Sequence, residues 1–176
     1  MKKSDYEIKS DYEIKSYYKD IYSVNYQRLK TIGIKLIIID LDNTLGLVKD
    51  KIMPKKSKDL VSKLKKDFTI VVASNNFKKR VNLFVDNMCD YVYLSLKPTK
   101  RLSRIIKRRY NIDNKNICII GDQLVTDIKL GNKAGYYTIL TDPLGEDGKV
   151  SFLNRKKEKK VKEMIHFKDG EYFEEN

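Results

Sequence analysis

Leu36-Ile37-Ile38-Ile39-Asp40-Leu41-Asp42-Asn43-Thr44-Leu45 is the stretch from which the architecture can be read. Its first four residues are all apolar, three of them β-branched, and a carboxylate ends the run. A continuous apolar run of this length fits a strand covered on both faces rather than one with a solvated side. Phe68-Thr69-Ile70-Val71-Val72-Ala73, Tyr91-Val92-Tyr93-Leu94, Ile117-Cys118-Ile119-Ile120 and Tyr137-Thr138-Ile139-Leu140 repeat the pattern. Between them lie amphipathic segments near 56–66, 77–87, 99–110 and 123–134; Leu60, Val61 and Leu64 form one apolar face, Leu102, Ile105 and Ile106 another. Strands alternating with helices predict an α/β fold, a Rossmann-like doubly wound parallel sheet of about five strands.

In such a sheet, ligands bind beyond the carboxyl ends of the strands. Chemically capable residues stand at those ends: Asp40 and Asp42 after the first strand, Ser74 and Asn75 after the second, Lys97 shortly after the third, and Gly121-Asp122 after the fourth. Asp40, Asp42 and Asp122 brought together would repel one another, and a divalent cation resolves that conflict. Oxygen donors without His or Cys point to a hard ion, and Mg²⁺ suits a site shared with substrate phosphate.

Each residue has an ordinary reading when taken singly. A DxD pair is common in solvated loops, Lys97 is one lysine among many, Ser74-Asn75-Asn76 could cap a helix, and Asp122 could cap the helix near Gln123. Their joint placement at successive strand ends is what argues for a site.

The 176 residues include 37 Lys and Arg against 24 Asp and Glu, for a net charge of +13, with 41% hydrophobic residues, two Cys and one His. That length suits one domain with appendages. His166 alone excludes His-dyad zinc motifs and disfavours a His-based triad, leaving carboxylates, Lys, Ser or Thr for catalysis. Cys89 and Cys118 form no CxxC pair and read as reduced, buried thiols. The amino-terminal residues are charged, and no apolar stretch reaches the roughly 18 residues of a spanning helix, so the cytoplasm is the expected location.

Residues 1–16 read as an extension carrying a tandem hexapeptide, Ser4-Asp5-Tyr6-Glu7-Ile8-Lys9 and Ser10-Asp11-Tyr12-Glu13-Ile14-Lys15. Two copies are too few for a solenoid. Residues 17–150 form the expected catalytic domain, led in by a helix from Tyr17 to Ile32 that Gly33 closes. Residues 151–176 would be a basic helix and an acidic tail.

The motifs resemble those of the haloacid dehalogenase (HAD) superfamily of phosphotransferases. Asp40-Leu41-Asp42-Asn43-Thr44 matches its DxDxT motif, Ser74 the second-motif Ser/Thr, Lys97 the third-motif Lys, and Gly121-Asp122 with Thr126-Asp127 the fourth motif, across about half of the chain. Ser74-Asn75-Asn76, Lys97-Pro98, Ile120-Gly121-Asp122-Gln123-Leu124 and the Tyr-rich lead-in are similar to the YqeG-like branch of subfamily IIIA. The resemblance implies a HAD-like fold and hydrolysis of a phosphomonoester through an aspartyl-phosphate. Asp40 would be the nucleophile and Asp42 the general acid and then base. Asp40, Asp122 and the backbone carbonyl of Asp42 would hold Mg²⁺. Ser74, with Asn75, would bind a phosphoryl oxygen, Lys97 would neutralise nucleophile and phosphoryl group, and Thr44 and Asp127 would support the site.

Only 31 residues separate Asp42 from Ser74, and 22 separate Ser74 from Lys97, too few in either place for a cap domain. An uncapped site favours a substrate that supplies its own cover: a lipid headgroup at a membrane, a protein or a nucleic-acid end. Seven basic residues and no acidic one lie between Lys97 and Arg109; six, with only Glu158 opposed, lie between Arg155 and Lys162. Charge by itself is explained first by lysine decorating solvated helices. Next to the site, though, Arg101, Arg104, Arg108 and Lys107 would gather an anionic substrate. The second run, flanked by Phe152, Leu153, Val161, Met164 and Ile165, reads either as a helix packed on the sheet or as one lying on an anionic membrane. The YqeG-like branch includes relatives implicated in dephosphorylating phosphatidylglycerophosphate, which makes a lipid phosphate the expected substrate class. Protein and nucleic-acid-end substrates, and an HAD-like phosphate- or RNA-binding module, are the alternatives.

Overall fold

The computed structural model describes residues 9–145 and 151–175, with side chains left out of the description at 151–153. Among the described residues seven strands form one sheet: β1 (Ser16–Tyr18), β2 (Leu36–Ile39), β3 (Thr69–Ala73), β4 (Asp90–Val92), β5 (Ile117–Gly121), β6 (Tyr137–Thr141) and β7 (Phe173–Glu174). Their spatial order is β4-β3-β2-β5-β6-β1-β7, parallel throughout except for β7, which runs antiparallel to β1. The helices are α1 (Tyr26–Thr31), α2 (Lys55–Leu64), α3 (Lys78–Val85), α4 (Arg101–Tyr110), α5 (Lys129–Ala134) and α6 (Ser151–Ile165).

β2 is the centre of the sheet, with Ile38 opposite Val71 of β3 on one side and Ile119 of β5 on the other. Its four residues are completely buried, because both faces are covered. Ile37, Ile39, Ile70 and Val72 point to one side, where α2 and α3 add Val61, Leu64, Val81 and Phe84. Leu36, Ile38, Val71 and Ile119 point to the other, where α4 and α5 add Leu102, Ile106 and Leu130. The strand period of two thus deals successive residues to two helical layers.

Two expectations are corrected. The sheet has seven strands, and the lead-in from Tyr17 to Ile32 is a strand, a turn and one short helix. Ser16–Tyr18 pairs with the free edge of β6, with Ser16 opposite Ile139, and the Tyr17 ring is buried against Phe167, Tyr172 and Phe173. Tyrosines suit a pleated, half-covered surface, and here that tertiary contact outweighs the helical spacing. The helix starts only at Tyr26, where the Asn25 side chain accepts the Arg28 N–H at 3.1 Å.

A third cluster forms under α6, whose Val161 packs with Tyr12, Tyr17, Leu124, Ile128 and Leu140, with Met164 and Ile165 against it. The second basic run therefore turns these described apolar residues inward. Phe152, Leu153 and most of the first hexapeptide copy lie outside the described residues or side chains. Along the outer edge at β4, Arg109 donates to the Tyr91 carbonyl at 3.1 Å and Arg101 to that of Leu94 at 2.8 Å, so α4 covers that edge. The segments from Asp42 to Ser74 and from Ser74 to Lys97 hold a short flap, α2, β3, α3 and β4, and no cap. Among the described residues no helix is long and apolar enough to cross a membrane.

Candidate active site

The carboxyl ends of β2, β3 and β5 converge, and the chain leaving each delivers one part of the site. Asp40 follows β2 directly, its N–H bonded to the Ile120 carbonyl at 2.9 Å, so its backbone is tied into the sheet ladder. The Asp42–Gly46 turn then folds back, with the Asn43 N–H on the Gly46 carbonyl at 2.7 Å, and Asn43 takes a left-handed conformation that its short polar side chain tolerates.

Lys97 is the hub. Its side chain is 3% exposed, and its ammonium donates to Asp40, to Asp127 at 2.6 Å and to the Ala73 carbonyl at 2.9 Å, which uses all three of its donors. The loop that brings it there is strained, since Leu94 and Leu96 both adopt left-handed φ angles, 43° and 53°. Each costs roughly 1–2 kcal/mol in a non-glycine residue. Asn75 restrains that loop: its side-chain carbonyl accepts from the Ser95 hydroxyl and the Lys97 N–H, both at 2.8 Å, and its amide donates to the Lys97 carbonyl at 3.2 Å.

Ser74 is buried, and its Oγ accepts from the Asn76 N–H at 3.1 Å and side-chain amide at 3.0 Å. It does not cap α3, which begins at Lys78. Asp42 lies apart from the Lys97 network: Arg80 donates to one of its oxygens at 2.9 Å and Asn76 to the other. Gly121 ends β5 where a Cβ would overlap the Asp127 carboxyl group, so the close approach of that carboxylate to the strand requires glycine. Asp127 itself sits in a π-helical turn, Leu124–Ile128, and takes a bond from the Thr126 hydroxyl at 3.0 Å.

Carboxylate oxygens of Asp40, Asp122 and Asp127 lie within 4.8 Å of one another, and all three residues are buried or nearly so. Burial pushes the Asp40 carboxyl up to about 7, and Asp127 adds to this against the pull of Lys97. Burial also raises Asp122 well above the carboxylate range, reinforced by Asp40 and Asp127 and opposed by Arg155. For Lys97 burial works against the charge, but Asp127 and Asp40 outweigh it and hold the ammonium charged. A cluster that resists its own negative charge, built of oxygen donors alone, fits a hard divalent cation. The Asp42 carboxylate is outside this cluster, and Thr44 Oγ1 stands 3.5 Å from Asp122.

Two cations at the site were not singled out from the sequence, Arg80 and Arg155. Three consecutive basic residues, Lys78, Lys79 and Arg80, open α3. Positive charge at a helix amino terminus is unfavourable without an acidic partner, and Asp42 is that partner. Arg155 bonds Asp122 at 2.7 Å; the lone Glu158 inside a basic run was its signal.

A sequence profile described as HAD-hydrolase-like matches residues 96–143. The Bacillus subtilis (strain 168) protein named Probable phosphatase YqeG is 30% identical over 160 residues, covering 89% of this chain and 93% of its own. Among solved structures, an uncharacterized protein from Listeria monocytogenes serotype 4b aligns with a TM-score of 0.54 at 19% identity, over 66% of this chain and 84% of that one. A HAD family enzyme from Bacteroides thetaiotaomicron, solved as a magnesium complex, aligns with a TM-score of 0.51 at 16% identity, over 68% of this chain and 98% of that one.

Proposed function

The chain belongs to the YqeG-like phosphatases of the HAD superfamily, and on that premise we propose that it hydrolyses a phosphomonoester presented on a large or membrane-held substrate, through an aspartyl-phosphate on Asp40. The observation that carries the chemistry is the buried Asp40–Lys97–Asp127 network beside Asp122.

Asp40 attacks phosphorus and displaces the leaving alkoxide; water then attacks the aspartyl-phosphate and releases inorganic phosphate. The Lys97 ammonium holds Asp40 in place and opposes the charge on the equatorial oxygens, while Asp127 fixes that ammonium from behind. The Ser74 Oγ, already accepting from Asn76, keeps its hydroxyl hydrogen to donate to a phosphoryl oxygen. Asp42 protonates the leaving oxygen and later takes the proton of the attacking water. Its contacts with Arg80 and Asn76 hold it at the rim, about a quarter exposed, where a leaving group would depart. Asp40, Asp122 and the Asp42 carbonyl are the residues to hold Mg²⁺, which when bound lowers the electrostatic cost of bringing a phosphate dianion to a carboxylate cluster.

The substrate class is supported by two features, the missing cap and the basic face of α4. Leu102 and Ile106 are buried, which leaves Arg101, Arg104, Lys107 and Arg108 exposed on the helix that starts four residues after Lys97. Such a face concentrates anionic surfaces at an open site. A lipid phosphate such as phosphatidylglycerophosphate combines both features.

The test measures phosphate release from that lipid in vesicles, a phosphopeptide, a 5′-phosphorylated oligonucleotide and a sugar phosphate. The lipid should be turned over best, and Arg101→Gln/Arg104→Gln/Arg108→Gln should lower that rate and vesicle binding while sparing the sugar phosphate. Preference for peptide or oligonucleotide, or unchanged vesicle binding by the triple variant, overturns the lipid assignment and leaves the hydrolytic chemistry standing.

A further inference from the structure

Arg155 reaches the carboxylate cluster from outside the four motifs. It lies on α6, and its guanidinium donates to Asp122 Oδ2 at 2.7 Å, to the Asp122 backbone carbonyl at 3.2 Å and to Glu158 Oε2 at 2.9 Å. The Asp122 side chain is fully buried and that of Glu158 nearly so. The guanidinium therefore bridges two carboxylates, that of Asp122 on the loop after β5 and that of Glu158 one turn further along its own helix, and it also holds the Asp122 carbonyl.

The arrangement is costly unless complete. The two carboxylates are buried while the guanidinium is a quarter exposed, so Arg155 is the counter-charge that offsets the cost of burying both. Pinning one carboxylate oxygen to a guanidinium also fixes the plane of the group and leaves its second oxygen for another ligand.

We propose that Arg155 is the positioning residue for Asp122, supported by Glu158, so that α6 completes the cation site from beyond the catalytic motifs. This rests on Asp122 being a metal-holding residue, as argued above. The second basic run thereby has a site-directed member, Arg155, whereas Lys156, Lys157, Lys159 and Lys160 of the same run are exposed.

Calorimetric titration of the full chain with Mg²⁺, without substrate, tests this alongside thermal unfolding in EDTA. Arg155→Gln should bind Mg²⁺ about 10–100-fold more weakly, the usual loss when the partner of a ligating carboxylate is removed. Arg155→Lys should recover part of that loss, since an ammonium restores the charge but not the forked contact. Lys157→Gln removes the same charge from the exposed face of the same helix and should bind Mg²⁺ as the parent does. If Arg155→Gln does not fold, Glu158→Gln, which keeps the guanidinium, should show a smaller loss of the same sign. Wild-type Mg²⁺ affinity in folded Arg155→Gln, or an equal loss in Lys157→Gln, overturns the inference. Absence of Mg²⁺ binding by the parent protein instead overturns the metal assignment on which it rests.

Discussion

Replacing Asp40 by Asn should make the metal-free protein more stable, and increasingly so as pH rises. Asp40 sits 12% exposed among Asp127, Asp122 and Lys97, and its carboxyl is raised from 3.8 to about 7, by burial first and then by Asp127. A carboxyl whose folded pKa exceeds its unfolded one holds its proton more tightly in the folded chain. Stability from this group is therefore intact below about pH 4, falls as pH rises, and is fully lost above about 7. At about 1.4 kcal/mol per pH unit, the total loss is on the order of 4 kcal/mol, of which about 2 kcal/mol falls between pH 5 and 7. Asn has the same shape and does not titrate. Urea unfolding in EDTA at about pH 5 and about pH 7.5 should show the advantage of Asp40→Asn over the parent growing by about 2–3 kcal/mol across that interval. Saturating Mg²⁺ should reverse it, because a cation that binds only the folded parent stabilises the parent. An advantage that does not change with pH, or a variant less stable than the parent at both, would refute the claim that the cluster strains against its own charge.

Gly121→Ala places a methyl group on the Asp127 carboxyl. It should lower both melting temperature and turnover, the latter at least tenfold, whereas a drop in melting temperature alone would detach Asp127 from the chemistry. Asn75→Ala removes the acceptor that holds Ser95 and Lys97 N–H. Unfolding should show a loss of about 1–3 kcal/mol, and turnover should fall as Lys97 loses its fixed approach. Arg80→Gln should change stability by no more than about 1 kcal/mol, since its contact with Asp42 is partly solvated. Turnover should nevertheless fall as Asp42 loses that restraint, and unchanged turnover would show that the Arg80 contact does not position Asp42.

The central sheet was legible because burial on both faces forces continuous apolar runs, and their alternation with amphipathic segments identifies strands lying between two helical layers. The strand-end carboxylates and Lys97 were legible for a related reason: polar residues cluster where the sheet presents its carboxyl ends, so position and chemistry pointed to the same place. β1 is hidden in the sequence because Tyr18, Ile21, Tyr22, Tyr26 and Leu29 recur at helical spacing, while what decides the conformation of Tyr17 and Tyr18 is the edge of β6 and a ring cluster with Phe167 and Tyr172, more than a hundred residues away. β7 is two residues long and exists only as a partner to β1, so it carries no pattern of its own. Arg80 and Arg155 were hidden by composition. In a chain with 37 basic residues, one that faces a carboxylate looks like those that face water. The informative signs were local conflicts, three cations opening α3 and one acid within a basic run, and the structure resolves them by pairing Arg80 with Asp42 and Glu158 with Arg155, which also holds Asp122.

The most direct test of the account is phosphate release from a soluble phosphomonoester by the purified chain with Mg²⁺, with EDTA, and with Asp40→Asn, coupled to acid quenching and peptide mapping of the phosphoryl group. The account predicts release that requires Mg²⁺ and is abolished by Asp40→Asn, with the trapped phosphoryl group on the peptide containing Asp40. Release by Asp40→Asn at the parent's rate, or a phosphoryl group trapped on another residue, contradicts it.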